Sequence, residues 1–191
     1  MAKAIEILRR EHANMLKVLA VLDAEVRNFR ESGALDYDLL FAAIDYIETF
    51  PDKVHHPKEE RFLFAALERR NADAKAFLDD LRDEHAREVG MIAKLRAAVE
   101  AMSIEVPFDK AAFEKIVSDY TAFVHAHMRK EEMKIFPLAH DSLAPEDWVE
   151  IDRAFDENRD PLFDDQETER YRELLRRVIY LSQPVARAEH S

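Results

Sequence analysis

Apolar positions along the chain recur at alternating steps of three and four, the spacing of a single helix face. The first stripe, Ile5, Leu8, His12, Met15, Leu19, Leu22, Val26 and Phe29, predicts a helix over about residues 3–30. Glu31-Ser32-Gly33 ends it, with Gly33 suited to a left-handed cap. A second stripe starts near Asp36 and carries Leu40, Ile44 and Ile47 toward Pro51 and Pro57. Proline removes a helical hydrogen bond and bends the rod, so one kinked helix ending near Arg70 is expected rather than two. A third helix, with Asp73 as its N-cap, runs to about Met102 through Leu78, Leu81, His85, Glu88 or Val89, Ile92, Leu95 and Val99. After the connector SIEVPF, Asp109 caps a fourth, which carries Phe113, Ile116, Tyr120, Phe123, His127 and Glu131 to about Pro137.

Four long helices with short connectors predict an all-α, up-down four-helix bundle over residues 1–140. Residues 141–191 read as a C-terminal helical extension packing on the bundle. Pro145 opens a short helix from Glu146 to about Glu157, DPLFDD breaks the pattern, and Glu167 to about Ser182 forms a final amphipathic helix. These two additional helices are expected outside the bundle, as a flap or as the contact of a homodimer. The last nine residues are expected to fray.

Composition agrees with helices throughout: two glycines and seven prolines in 191 residues leave little for a turn-rich sheet protein. A net charge of −12 with no compensating basic run excludes nucleic acid as a partner class. The densest basic cluster, Arg170, Arg172, Arg176 and Arg177, alternates with Glu167, Glu169 and Glu173 and reads as a solvated face. There is no cysteine, which removes disulfides, iron–sulfur ligation and thiol nucleophiles. The charged N-terminus and the lack of a long apolar run predict a soluble, cytoplasmic protein without membrane spans.

Each of the four stripes carries a histidine: His12, His55, His85 and His127. A lone histidine on such a stripe is ordinarily a hydrogen-bonded core residue. Four imidazoles with two carboxylates buried together conflict with their own desolvation unless a metal takes the lone pairs. HHPKEERFLF at residues 55–64 and HMRKEEMKIF at 127–136 are nearly one phrase, His-x-x-x-Glu-Glu with a phenylalanine five residues after the first Glu. His and Glu four apart share a helix face, and imidazole with carboxylate is a ligand set for iron, manganese or zinc. At about 100° per residue, His127 continues its stripe while His125 falls on the opposite face. On the second helix the stripe passes about 60° from His55 and about 160° from His56, which selects His55 with Glu59. His56 and Glu60 stay as reserves, as does Glu88; His140 and His190 are incidental. The Glu-x-x-His motif of ferritin-type bundles is absent.

REHANML, HHPKEE, EHARE and HMRKEEMKIFPLA, in this order and spacing, resemble the hemerythrin-like (HHE cation-binding) family over residues 1 to about 140. The resemblance implies two non-haem iron ions in a helical bundle, bridged by two carboxylates and an oxygen species, with manganese or zinc as substitutes. It makes His12, His55, His85 and His127 terminal ligands and Glu59 and Glu131 the bridges. Oxygen carriers of the family have a second histidine one turn after the first on the third helix, where this chain has Val89. Four histidines leave more open metal positions than five, favouring reactivity or sensing over storage, unless His56 or Glu88 fills the gap. Iron–sulfur-repair members carry a cysteine-containing N-terminal segment, and this sequence has no cysteine. Three roles follow as expectations. The first is binding of O2 or a related diatomic such as NO, for sensing, buffering or detoxification. The second is reduction of peroxide or NO, with Tyr46 and Tyr120 near the site. The third is an iron-dependent interaction module using Trp148 and the Tyr171–Tyr180 segment.

Overall fold

A computed structural model describes residues 2–104, 109–164 and 171–183. The connector residues 105–108, the predicted helix start at Glu167, His190 and the predicted frayed tail beyond Gln183 lie outside the described residues. Helix α1 (Lys3–Ser32) ends as expected at Gly33, whose φ of 75° lets its N–H reach Phe29 O at 3.0 Å. The methyl side chain of Ala2 cannot cap the other end. Asp152, from much later in the chain, accepts from Ala4 N at 2.7 Å instead.

The second rod begins at α2 (Tyr37–Thr49), capped by Asp36, which accepts from Leu39 N at 3.0 Å. It continues through a π-helical turn π1 (Pro51–His55), α3 (His56–Lys58), a second wide turn π2 (Glu59–Phe64) and α4 (Ala65–Arg70). Proline cannot donate to the α ladder, and the ladder answers by widening: His55 N bonds Phe50 O, five residues back, at 3.0 Å. The rod is therefore one helix to Arg70, as expected, but with two widened turns rather than a simple kink.

Asp73 does not cap the third rod. Asn71, in an extended conformation, accepts from Asp73 N at 3.1 Å and opens a single 3₁₀ turn, Ala72–Ala74, before α5 (Lys75–Ser103). Asp109 caps α6 (Lys110–Lys130) by accepting from Ala111 N at 3.1 Å. The fourth rod runs past the predicted stop at Pro137, through a third wide turn π3 (Glu131–Ile135) into α7 (Phe136–Ser142). Pro137 falls in the first turn after π3, where a missing N–H is tolerated. Helices α8 (Pro145–Asp156) and α9 (Arg172–Leu181) follow.

The rods close a ring of contacts: α1 with α2, α2 with α5, α5 with α6, and α6 with α1. Two apolar clusters fill it. One includes Leu19, Leu22, Leu40, Ile44, Phe50, Ile92, Leu95 and Phe113; the other includes Leu8, Leu63, Phe64, Leu78, Leu81, Ile135 and Phe136. Each such side chain contributes about 1.5–3 kcal/mol by leaving water. Along every rod the change from one cluster to the other falls at a short buried polar stretch: Glu11 to Asn14, His55 to Glu59, His85 to Glu88, and His127 to Glu131. The C-terminal helices rest on α1, and Phe155, Leu162, Leu174 and Val178 join the two clusters. No helix among the described residues is long and apolar enough to cross a membrane.

Candidate metal centre

The polar stretches of the four rods meet between the apolar clusters. All six residues predicted for the site are buried there: His12, His55, Glu59, His85, His127 and Glu131. His56 is buried with them at 6% exposure, against the angular argument that turned it outward. An angle of about 100° per residue holds only for an α-helical turn. A π turn packs more residues into each turn, so neighbouring side chains diverge less, and both His55 and His56 face inward. Val89 points away at 49% exposed while Glu88 is buried, so the third rod presents Glu88 beyond His85. His125 is exposed, and His140 sits on the surface.

The buried groups form two sets. In one, ligand atoms of His12, His55, Glu59 and Glu131 all lie within 4.8 Å of one another; in the other, those of His56, His85 and His127 do. Glu131 faces both. Its Oε2 is 3.3 Å from His12 Nε2 and its Oε1 is 3.3 Å from His127 Nε2. Glu59 Oε2 lies 3.4 Å from His55 Nε2 and 3.9 Å from His85 Nε2. None of the four oxygens of Glu59 and Glu131 has a hydrogen-bond partner, and neither has His12 Nε2. Leaving such groups unpaired in a core costs several kcal/mol apiece. His85 Nε2 and His127 Nε2 sit 3.0 Å apart, lone pair toward lone pair unless a cation or proton intervenes.

The outer nitrogens of four of the five histidines are engaged. His55 Nδ1 donates to Glu11 and His85 Nδ1 to Glu60, each at 2.7 Å. His127 Nδ1 donates to Glu84 and His12 Nδ1 to Glu132, each at 3.0 Å. A carboxylate on Nδ1–H fixes the tautomer and leaves Nε2 free to ligate. These pairs run one way round the ring: α1 serves the second rod, the second rod α5, α5 the fourth rod, and the fourth rod α1. The repeated phrase explains half of this. In each copy the first Glu turns inward and the second binds the next rod's histidine. The phenylalanine stacks on that same histidine: Phe64 on His85 at 5.9 Å between ring centres, and Phe136 on His12 at 5.6 Å. His56 is the exception to the repeat; its counterpart is Met128. Its ring stacks on His85 at 4.1 Å, and its Nδ1 is 3.8 Å from Asp52.

Glu60, a reserve ligand, thus stands outside the centre as a partner of His85. Glu88 Oε1 accepts from Tyr120 at 3.1 Å, and its other oxygen, without a hydrogen bond, is 3.9 Å from His56 Nε2. Tyr46 donates to Asp160 at 3.0 Å and not to a histidine or carboxylate of the two sets. Glu11, Glu84 and Glu132 carry no signal in the local sequence pattern. Each adjoins a predicted ligand in the chain, but its partner is on another rod.

Without a cation, protons must balance these charges. Burial and the charge of Glu131 push Glu59 well above the ordinary carboxylate range. Burial pushes Glu131 the same way, but His127, His12 and His85 together hold it well below. Burial lowers the His127 pKa, yet Glu131 and Glu84 outweigh it and raise it to about 10. Hydrogen bonds from His127 and Lys130 take Glu84 down to about 2. His56, buried beside His85, His55 and His127, is held well below its usual value. The donor set, its orphaned oxygens and its outward carboxylates fit a cationic cofactor.

The chain belongs to the hemerythrin HHE cation binding domain family, which it matches over residues 3–139. It is also similar to uncharacterized proteins of Mycobacterium bovis and Mycobacterium tuberculosis. Each is 22% identical over 157 residues, covering 81% of this chain and 60% of the relative. The chain therefore spans less than two thirds of their length. No solved structure matches it.

Proposed function

We propose that the two sets hold a pair of iron ions and that the centre binds O2 or a related small ligand, NO or peroxide, for sensing, buffering or detoxification. The observation that carries this is the split of Glu131, one oxygen toward each set, with no hydrogen-bond donor on either. His12 and His55 would serve one ion and His56, His85 and His127 the other, with Glu59 and Glu131 between them. His56 supplies a fifth histidine from the second rod where Val89 provides none on the third. The rods would run up and down around the centre, which the alternating order of the two apolar clusters along successive rods supports.

Iron supplies electrons and open coordination positions to a small ligand. The protein's share is to fix the imidazoles through their Nδ1 carboxylates and to keep bulk water out with an apolar cluster on each side. Manganese and zinc suit the same donors, and availability selects among them. Metal analysis of iron-reconstituted protein, with its optical spectrum, tests the reading. About two ions per chain with an absorption that changes on adding O2 or NO supports it; less than one ion per chain ends it.

A turnover reading is favoured by the Tyr120–Glu88 pair: one oxygen of Glu88 accepts from the Tyr120 hydroxyl and the other lies 3.9 Å from His56 Nε2. Stopped-flow with excess peroxide separates the two. Repeated cycles support turnover, and one stoichiometric event supports binding alone.

A further inference from the structure

Of the four carboxylates that brace the histidines, Glu11 is the deeply buried one, 2% exposed. The side chains of Glu84, Glu60 and Glu132 keep 19%, 36% and 39% of their surface in contact with solvent. Water or Lys130 can satisfy their second oxygens, but Glu11 needs a donor from the protein. That donor is Asn158, whose Nδ2 reaches Glu11 Oε1 at 2.8 Å while Glu11 Oε2 holds His55. Asn158 lies beyond α8, outside the stretch that defines the family.

The segment carrying Asn158 is itself pinned. Asp160 accepts from Asn14 at 3.2 Å and from Tyr46 at 3.0 Å with one oxygen, and from Leu162 N at 3.0 Å with the other. Asn158 and Asp160 are each 4% exposed. Helices α1 and α2 supply partners to both side chains, Glu11 to Asn158 and Asn14 with Tyr46 to Asp160, while Asn158 Oδ1 is buried without one.

We propose that Asn158 is a positioning residue of the metal centre: it holds Glu11, Glu11 holds the His55 ring, and the C-terminal segment thereby sets the affinity of the ion at His12 and His55. This rests on the metal-binding reading above. Outer partners of ligating histidines typically carry 10–100-fold in metal affinity. By linkage, the ion must in turn stabilise the segment by the same factor.

The test is chelator competition on the full, reconstituted chain. Asn158→Ala should weaken binding of one of the two ions about tenfold or more, leaving the other near its native affinity. Asn158→Asp keeps the shape but sets an acceptor against Glu11, and should weaken the same ion at least as much. Leu174→Ala, a cavity in the same apolar cluster on α9, should lower the melting temperature without changing either affinity. In a Glu11→Ala background, Asn158→Ala should add nothing, because its effect passes through Glu11. Native affinity in Asn158→Ala, an equal affinity loss in Leu174→Ala, or full additivity with Glu11→Ala overturns the proposal. A wild-type chain that binds neither iron, manganese nor zinc fails the metal reading itself, and this inference with it.

Discussion

Glu84 on α5 bonds His127 on α6 at 3.0 Å, although the histidine beside it in the chain is His85. The same displacement recurs at Glu11, Glu60 and Glu132, so each helix orients the imidazole of its neighbour. A ligand so held resists rotation only while both rods keep their relative position. Metal affinity thus depends on how the rods are set against one another at the level of the centre, and loading should stiffen that part of the bundle.

Replacing an outer carboxylate should therefore reach the metal without disrupting the core. Glu84→Gln keeps the hydrogen-bond acceptor for His127 but removes the charge that strengthens it. It should weaken the ion at His56, His85 and His127 by about tenfold, with far-ultraviolet circular dichroism unchanged. Unaltered chelator competition would show that Glu84 serves Lys130 and the surface alone.

His56 gives a sharper discrimination. His56→Met restores the residue type that the other copy of the phrase carries at Met128, so the apolar volume is roughly kept. The variant should fold and hold about one ion per chain in place of two. His125→Ala, on the exposed side of α6, should hold the native complement. Equal metal content in both variants would remove His56 from the centre.

The contrast between these two histidines also marks what the sequence made legible. The rods, and the inward direction of His12, His85 and His127, follow from 3.6-residue periodicity, which holds wherever the ladder is α-helical. His56 was misplaced because Pro51 and Pro57 widen the turns around it, and the angular count fails there. The fourth rod outran its predicted end at Pro137 for the same reason, a wide turn just before the proline. The outer carboxylates were hidden differently. Glu11 and Glu84 lie next to ligands in sequence, but pairing across rods depends on packing that local pattern does not encode. Asn158 had no signal at all, since it sits in a break with no period to place it.

Glu59 exposes the tension between site and fold. It is fully buried, its oxygens have no donors, and burial with Glu131 nearby pushes its pKa up. Glu59→Gln removes a potential charge while keeping the volume. Glu59 is ionised in the unfolded chain and must take up a proton to be buried, a cost that Gln avoids, so the metal-free variant should gain about 1–3 kcal/mol near neutral pH. That corresponds to roughly 2–4 °C per kcal/mol for a domain of this size. Its metal content should fall, because an amide is a poorer ligand than a carboxylate. Melting curves of wild type and variant, each stripped and reconstituted, give both numbers. A stripped variant less stable than stripped wild type would mean that Glu59 has a structural partner in the apo state.

The pH response should differ between the stripped and the metal-loaded protein. In the stripped protein the protonated His127 is held by Glu131 and Glu84, with its pKa raised from 6.5 to about 10. That stabilisation is complete below pH 6.5 and is lost as pH rises toward about 10. His12 and His85 are raised too and act in the same sense. Burial, with Glu88 and Glu48 nearby, raises Asp52 to about 7, so its contribution also declines with rising pH, earlier in the range. Glu84, down to about 2, stays ionised across this window and contributes no slope. Stripped protein should therefore melt at a lower temperature at about pH 9 than at about pH 6.5. Metal ions compete with those same protons for Nε2, so affinity rises with pH, and the gap between loaded and stripped melting temperatures should widen. Parallel thermal scans of both forms across this range measure it. A stripped protein whose melting temperature climbs from about pH 6.5 to 9 would show that His127 is neutral in the fold and that some other group balances Glu131.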